Sequence, residues 1–296
     1  MRRVRSARGA IAAVSMVALL MTASCASTPG SVTDASSPPP PPVVASPPPS
    51  AAPSATGAAS ATPGCTAPGV VEHVTFDQSS QGALGDFQVY LPPCYAAAPG
   101  SRYPVVYLLH GSGHDDAYWL EVGIVGAADD AIGHGKVAPM ILVMPDGGPT
   151  FGTGRGGETF ATFLTSELIP RVDASYRSIA TRSGRAIGGI SLGGGLALTI
   201  AAGAPTLFTA VGGHSPAVRD PAALAAHLTA GGLRVWLDVG AGDSLRDGSI
   251  SLEKELRGLG GDVHLEVPEG THVDSYWTAH LAEYLHFYDQ SFRASR

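Results

Sequence analysis

A serine stands in the pattern Gly-X-Ser-X-Gly in the second half of the chain. The run Gly189-Ile190-Ser191-Leu192-Gly193 follows a short apolar segment and precedes a stretch rich in alanine and leucine. A serine at a sharp strand-to-helix turn needs neighbours without side chains, and Gly189 and Gly193 meet that need. The turn would place the Ser191 hydroxyl at a helix N-terminus, where free N–H groups stabilise developing negative charge. The pattern predicts a nucleophilic serine; a chance match or a phosphate-binding turn is the alternative.

A nucleophilic serine requires a histidine that accepts its proton, and Gly-X-Ser-X-Gly hydrolases carry that histidine late in the chain. His272 lies in the loop Pro268-Glu269-Gly270-Thr271-His272, between the last predicted strand and the last predicted helix. Four other histidines beyond residue 210 fall inside predicted strands or helices and are expected to pack or face solvent: His227, His264, His280 and His286. We therefore expect His272 to be the base.

An acid that orients the histidine should precede it in sequence, just past the end of a strand. Asp243 fits this position, because the strand-like run from Leu233 to Val239 continues into Gly240-Ala241-Gly242-Asp243-Ser244. Asp247, further along the same loop, and Asp238, inside the strand, are the alternatives. An unpaired carboxylate at Asp238 would be costly.

Two backbone N–H groups are needed to hold the oxyanion that forms when an ester is attacked. The residue after the nucleophile, Leu192, supplies one by the geometry of the turn. His110-Gly111-Ser112-Gly113 ends another apolar run, and the N–H of Ser112 is the expected second donor.

The same stretch also contains histidines and acids that raise the question of a metal site: His110, His114, Asp115 and Asp116. Two histidines four residues apart converge on one face of a helix, and the glycines between these two disfavour a helix. We therefore expect neither a metal nor an organic cofactor.

The elements that must position these residues alternate between strand and helix along the chain, which predicts a mostly parallel sheet with helices on both faces. Four short apolar runs predict strands buried on both faces: Val105 to Leu109, Met140 to Met144, Arg185 to Ile190 and Leu233 to Val239. Three further runs predict strands, the first two of them antiparallel and at the edge: Val70 to Phe76, Phe87 to Leu91 and Val263 to Val267. Five segments have helical spacing or composition: Thr159 to Tyr176, Leu192 to Ala204, Pro221 to Ala230, Ser249 to Leu259 and Tyr276 to Phe292. No insertion after Ser191 is long enough for a large lid domain.

The first 25 residues have the parts of a signal peptide: an arginine-rich start, an apolar run from Ala10 to Met21, and small residues before Cys25. The apolar run is shorter than the roughly 20 residues that span a bilayer. Small residues before a cysteine also resemble a lipobox, in which Cys25 would be lipidated, although Thr22 weakens the match. Ordinary cleavage after Ala26 is the alternative. We expect an exported protein that is either secreted or anchored through Cys25.

Residues 26–64 contain almost only Ser, Ala, Thr, Pro and Gly, with a single charged residue, Asp34. This composition cannot form a core, so the segment is expected to be a tether in front of a catalytic domain at residues 65–296. Cys65 and Cys94 remain after Cys25, and an even pair in an exported domain predicts a disulfide. The formal net charge of −7 becomes −11 without the four arginines of the first 25 residues, which disfavours a nucleic-acid partner.

The chain resembles the esterase D-like branch of the α/β hydrolases over roughly residues 87–288. The resemblance depends on the following motifs: Val106-Tyr107-Leu108-Leu109-His110-Gly111, Asp115 to Trp119, Val143-Met144-Pro145-Asp146-Gly147, Glu167-Leu168-Ile169-Pro170, Gly188 to Gly194, and Gly270-Thr271-His272 followed by Trp277. That branch holds feruloyl and other carbohydrate esterases, S-formylglutathione hydrolase, enterochelin esterase and mycolyltransferases. The resemblance implies the α/β-hydrolase fold and the same roles for Ser191, Asp243, His272, Ser112 and Leu192.

The resemblance also implies that the loop after His110-Gly111 lines the substrate cleft. His110 and Trp119 are therefore candidate substrate-binding residues, although a core position for Trp119 is an equal alternative. His214, after the strand-like run from Thr209 to Gly213, borders the expected site without an assigned role. The stretch Gly147 to Gly157 is either part of the cleft or a surface loop.

Together these features predict an exported serine esterase that forms an acyl-enzyme and takes a small-molecule, carbohydrate or lipid ester as its partner. Two other functions stay open. A mycolyltransferase-like enzyme would pass the acyl group to an alcohol of the cell envelope in place of water. A non-catalytic envelope protein would keep the fold for binding, but it would not need Ser191, Asp243 and His272 together.

Overall fold

An eight-stranded sheet organises the computed structural model, which describes residues 66–75, 85–148, 151 and 156–295. In chain order its strands are β1 (Val70–Val74), β2 (Phe87–Leu91), β3 (Val105–Leu109), β4 (Ile141–Pro145), β5 (Arg185–Ile190), β6 (Ala210–His214), β7 (Arg234–Asp238) and β8 (Val263–Glu266). Across the sheet they run β1-β2-β4-β3-β5-β6-β7-β8. β1 and β2 are antiparallel to their neighbours, and β3 to β8 are mutually parallel. The expected mostly parallel sheet is confirmed.

Helices cover both faces of the sheet. They are α1 (Tyr118–Glu121), α2 (Ile124–Gly133), α3 (Gly156–Phe163), α4 (Ile169–Ser175), α5 (Leu192–Gly203), α6 (Pro221–Ala230), α7 (Arg246–Gly258) and α8 (Asp274–Ala294), with a π-helical turn at Leu164–Leu168 and a 3-10 turn at Arg182–Gly184. One buried core contains side chains of α3 to α7, and the other contains side chains of α1, α2 and α8. This is the three-layer architecture of the α/β-hydrolase fold.

The central strand β3 shows why a continuous apolar run is needed here. Val105, Tyr107 and Leu109 point into the core beneath α5, whereas Val106 and Leu108 point into the core beneath α8. Because successive side chains of a strand alternate between the two faces, both faces of β3 must be apolar. All five residues are buried.

The predicted helix at 159–176 is interrupted. The backbone widens at the π-helical turn, where the N–H of Ile169 bonds to the carbonyl of Leu164, five residues earlier. Pro170 follows directly, and a proline in a helix has no N–H to donate and crowds the carbonyl four residues before it. The widened turn therefore accommodates the proline without ending the helical segment.

The sequence did not predict α1 and α2. Gly123 precedes α2 with a left-handed φ of 94°, and Gly126 and Gly133 lie within the helix. Glycine is a poor helix former, so these residues weaken the pattern. The buried residues Ile124, Ala128 and Ile132 supply the packing that holds the helix.

All described residues fall in one compact unit that spans residues 53–296. Among them no insertion is large enough to form a separate lid, and no helix is long and apolar enough to cross a membrane. The expected signal peptide, the lipidation site Cys25, the tether and Cys65 lie outside the described residues.

Candidate active site

The turn between β5 and α5 holds Ser191 in a conformation that L-amino acids rarely adopt, with φ 56° and ψ −115°. A Cβ at Gly189 would lie 2.4 Å from the carbonyl carbon of Gly193, and one at Gly193 would lie 2.3 Å from the carbonyl oxygen of His110. No side chain fits at either position. The expectation that the turn needs both glycines is therefore confirmed, and the strain at Ser191 is held in place by close backbone packing.

Three polar side chains meet at the carboxyl edge of the sheet. His272 Nε2 lies 2.8 Å from Ser191 Oγ, and His272 Nδ1 lies 2.7 Å from Asp243 Oδ2. The other carboxylate oxygen of Asp243 accepts the backbone N–H of Leu245 at 2.8 Å. The Asp243 side chain is fully buried, while that of His272 is 33% exposed, so the imidazole adjoins solvent and the carboxylate does not.

The loops that carry the acid and the histidine are joined by their backbones. The N–H of Ala241 bonds to the carbonyl of Pro268, and the N–H of Gly242 bonds to the carbonyl of Gly270, each at 2.8 Å. A Cβ at Gly240 would lie 2.5 Å from the carbonyl carbon of Gly270. Because these contacts connect the loops after β7 and β8, they hold the Asp243 carboxylate and the His272 imidazole in position relative to each other.

The two alternative acids occupy other positions. The Asp247 side chain is 83% exposed and pairs with Arg246 in the first turn of α7. Asp238 is buried at the end of β7 and bonds to His214. Of the three carboxylates considered from the sequence, Asp243 is therefore the one that contacts His272.

The two residues predicted to supply the oxyanion donors follow the ends of β5 and β3. Leu192 is the first residue of α5, so its N–H has no acceptor within the helix. Ser112 lies in an exposed turn directly after β3. The preceding Gly111 packs against the serine, since a Cβ built on it would lie 3.8 Å from Ser191 Cβ.

His110 does not face the cleft, contrary to the expectation of a substrate-binding role. Its side chain is 2% exposed. Nδ1 donates to the carbonyl of Gly111 at 2.7 Å, and Nε2 accepts the N–H of Gly147 at 3.0 Å. Burial lowers the pKa of His110, although its bond to Gly111 and the nearby Asp146 act in the opposite direction. His110 therefore connects the ends of β3 and β4 as a neutral imidazole.

Trp119 lies in the core, which corrects its assignment to the pocket wall. Only 1% of the residue is exposed, and its ring meets that of His214 edge to face with 6.2 Å between centroids. The sequence left a core position open, because an aromatic residue in a loop near the site can line the pocket or pack in the core. The short helix α1 turns the ring inward.

A second histidine–aspartate pair lies beneath the site. His214 Nδ1 lies 2.7 Å from Asp238 Oδ1, and Tyr284 donates to the other oxygen of Asp238 at 2.8 Å. Tyr288 lies 3.1 Å from His214 Nε2. Burial raises the pKa of both tyrosines, so each phenol keeps its proton. This network of four residues satisfies the buried carboxylate. Sequence reasoning left His214 unassigned, because no motif links residues 214, 238, 284 and 288.

Trp277 packs beside the imidazole. Its ring meets that of His272 edge to face with 5.0 Å between centroids, and its Nε1 donates to Ser215 Oγ at 3.3 Å. The hydrogen bond holds the indole in place. Trp277 therefore limits how far the His272 ring can move.

The remaining expectations concern the metal, the disulfide and one loop. In the described part of the chain, no three His, Cys, Asp or Glu residues are arranged to bind a metal ion.

Cys94 lies in the turn after β2, with its Sγ 3.8 Å from the carbonyl oxygen of Ala67, two residues past Cys65. In the stretch from Gly147 to Gly157, the ring of Phe151 packs against that of His110, with 4.3 Å between centroids and the ring planes tilted by 35°. Residues 149–150 and 152–155 lie outside the described residues.

The sheet order, the strained serine and the chain of hydrogen bonds are those of the serine hydrolases with the α/β-hydrolase fold. The model of the family described as "Putative esterase" matches residues 82–288, and the chain belongs to that family.

Curated relatives and solved structures agree with this family. An endo-1,4-beta-xylanase/feruloyl esterase of Xylanibacter ruminicola is 32% identical over 219 residues, which are 69% of this chain and 29% of the relative. An esterase of Mycobacterium tuberculosis is 34% identical over 146 residues, 47% of this chain and 31% of the relative. The chain thus spans less than a third of either. A ferulic acid esterase structure superposes with a TM-score of 0.69 at 25% identity, covering 76% of this chain and 99% of that one.

Proposed function

We propose that this chain is an exported serine esterase that hydrolyses carboxylic esters through an acyl-enzyme on Ser191. The observation that carries the proposal is the unbroken chain of hydrogen bonds from the Ser191 hydroxyl through His272 to Asp243. Asp243 accepts the Nδ1–H of His272, which leaves the lone pair of Nε2 directed at the serine. Family membership supports the same reaction.

In the acylation half-reaction, His272 Nε2 takes the hydroxyl proton as Ser191 Oγ attacks the ester carbonyl carbon. The carbonyl oxygen becomes an oxyanion that accepts hydrogen bonds from the N–H groups of Leu192 and Ser112. The tetrahedral intermediate then collapses, the bond to the alcohol oxygen breaks, and the imidazolium gives its proton to the departing alcohol. Asp243 stabilises the transient positive charge on His272.

Deacylation repeats these steps with water. His272 removes a proton from a water molecule whose oxygen attacks the acyl carbon. The new oxyanion again accepts hydrogen bonds from the two backbone N–H groups. The bond to Ser191 Oγ breaks, the serine recovers its proton from His272, and the free acid leaves. All proton transfers in this scheme use the chain's own residues.

Hydrolysis of p-nitrophenyl butyrate tests the proposal. We expect turnover by the wild type and a loss of at least about 10³-fold in kcat for Ser191→Ala, because removing a member of a catalytic triad leaves only binding and oxyanion stabilisation. Ser251→Ala is the matched control, since this exposed hydroxyl bonds only to the carbonyl of Asp247 in α7. Equal activity of all three proteins would contradict the proposal.

The product separates hydrolysis from acyl transfer. With an added acceptor alcohol such as glucose, a hydrolase releases mainly free butyrate, whereas a transferase forms mainly the new ester. We expect free acid, because the chain's family and its relatives are esterases. A product that is mostly transesterified would support the mycolyltransferase-like alternative.

Export and anchoring are part of the proposal. The arginine-rich start and the apolar run of residues 10–21 support removal of a signal peptide, and the small residues before Cys25 support lipidation. The proposed disulfide between Cys65 and Cys94 fits export, because disulfides form and persist in oxidising compartments. Mass spectrometry of the mature protein tests all three features: a lipid-modified N-terminal Cys25 and no free thiols are expected. An intact N-terminus would contradict export.

A further inference from the structure

A groove runs along the outer side of α5. It has a cavity volume of about 690 Å³ and is walled by α3 with the following π-helical turn on one side and by α6 on the other. Its floor is formed by residues of α5 that point away from the sheet, including Leu192, Leu196 and Thr199. This volume is in the range of small-molecule binding sites, roughly 300–1,000 Å³.

Two of the helices around the groove, α5 and α6, lack the polar outer face that solvent-facing helices normally have. α5 contains no charged residue, and Thr199 is its only polar side chain. α6 has only His227 and Thr229 as polar side chains. The α5 floor and the α6 wall are consequently mostly apolar, and an apolar ligand would remove this surface from water.

The near end of the groove adjoins the nucleophile. Leu192, Gly195 and Ala217 line this end. The N–H groups of Gly195 and Ala217 both bond to the carbonyl oxygen of Ser191, at 3.1 and 2.9 Å. The near end of the groove therefore lies at Leu192, the residue that directly follows Ser191 in the sequence.

The far end lies beside Gly203 and Ala204, at the other end of α5. At 1.5 Å per residue, the groove extends for about 18 Å along the helix. The charged residues that line it, Glu158, Arg219 and Asp220, are exposed, and so is His227. A groove of this length with a mostly apolar floor fits a flexible aliphatic chain better than a single aromatic ring.

We propose that this groove binds the acyl chain of the ester substrate and that the substrate class is aliphatic esters of medium to long chain length. This inference rests on the proposed function, because the ester group must reach Ser191. The acyl carbonyl lies at the oxyanion donors, and the chain extends past Leu192 along α5. The alcohol part of the ester leaves through the solvent-exposed side at His272.

Activity against p-nitrophenyl acetate, butyrate, octanoate and dodecanoate tests the inference. Each buried methylene contributes up to about fourfold in affinity, so we expect kcat/KM to rise at least tenfold from acetate to octanoate. Ala223→Trp, which lies in the α6 wall, should remove that rise, so that its kcat/KM for octanoate no longer exceeds that for acetate. Ala226→Trp is the matched control, because Ala226 is also exposed on α6 and does not line the groove.

Thr199→Trp provides a second blocking variant. Thr199 is exposed on the floor of the groove, so a large side chain there fills the groove without entering the core. We expect it to reproduce the effect of Ala223→Trp on octanoate and dodecanoate. An unchanged circular dichroism spectrum and thermal midpoint establish that each variant is folded.

Calorimetric binding of dodecanoate to Ser191→Ala gives a readout that needs no turnover. Binding should be lost when Ala223→Trp is added and kept when Ala226→Trp is added. The inference is overturned if rates do not rise with chain length, or if the tryptophan variants inside and outside the groove behave alike. Absence of acetate hydrolysis by the wild type would instead count against the proposed function, so the two failures are distinguishable.

Discussion

The backbone carbonyl oxygen of His214 accepts the N–H of Ser191 at 2.8 Å. The residue that ends β6 thereby holds the strained turn that ends β5. The His214 side chain is fixed in turn by Asp238, Tyr284 and Tyr288. The active-site turn therefore rests on a polar network in which every partner is buried.

This network should be a major determinant of stability. Asp238→Ala leaves the Nδ1–H of His214 and the hydroxyl of Tyr284 without their acceptor, and breaking a buried pair in this way costs about 3–5 kcal/mol. Urea unfolding should show a loss of this size. Asp262→Ala is the control, because its exposed pair with Arg234 contributes at most about 1 kcal/mol. Equal losses in both variants would show that the buried network has no special contribution.

Asp243→Asn should lower kcat by about 10³–10⁴-fold with little change in KM, because the amide cannot stabilise the imidazolium and can turn the imidazole to the wrong tautomer. Asp247→Asn should remain within about twofold of the wild type, because Asp247 is exposed and makes its ion pair with Arg246. Steady-state kinetics on p-nitrophenyl butyrate distinguishes the two. If Asp247→Asn were the damaging change, the acid would be misassigned.

His110 should make folding sensitive to mild acid. Burial lowers its pKa in the folded protein, so the unfolded chain takes up a proton first as the pH falls below about 6.5. The contribution of His110 is then fully present above that pH and decreases as the pH falls, by up to about 1.4 kcal/mol per pH unit, until the folded-state pKa is reached. Free energies of unfolding measured from about pH 8 to about pH 5 should therefore decline more steeply for the wild type than for His110→Gln. Parallel curves would contradict this.

Two helical glycines should respond in opposite directions to alanine. Gly193→Ala places a Cβ 2.3 Å from the carbonyl oxygen of His110, so the first turn of α5 must shift at a cost of at least about 2 kcal/mol. Gly126→Ala in α2 meets open space and should stabilise the protein by about 0.5–1 kcal/mol, since alanine is the better helix former. Thermal unfolding of both variants gives the comparison. Stabilisation by Gly193→Ala would refute the packing described for the active-site turn.

The sequence predicted most of the sheet because its central strands are buried on both faces. Such strands must be continuously apolar, and the observed bounds of β3 and β5 match the predicted ones. The catalytic candidates were predicted for a related reason: Gly189 and Gly193 mark a turn that tolerates no side chains, and Asp243 and His272 lie in the loops that follow two strands. These are local signals.

The missed features depend on contacts between distant parts of the chain. The side chains of His110 and Trp119 are buried and do not face the cleft. No local sequence pattern distinguishes an aromatic side chain in a pocket wall from one in the core. The network around His214 joins residues from two strands and one helix. The groove along α5 depends on how α3 and α6 are spaced around it. Sequence reasoning therefore predicted the three side chains that meet at the edge of the sheet, but not the residues that surround them.

Labelling with a fluorophosphonate probe tests the central claim most directly, because the probe reacts with a serine hydroxyl only when that hydroxyl is activated as a nucleophile. The account predicts one adduct, located on Ser191 by peptide mass mapping, which is lost in Ser191→Ala and slowed in His272→Gln. Labelling of the wild type that persists in Ser191→Ala, or a folded wild type that does not react at all, would contradict it.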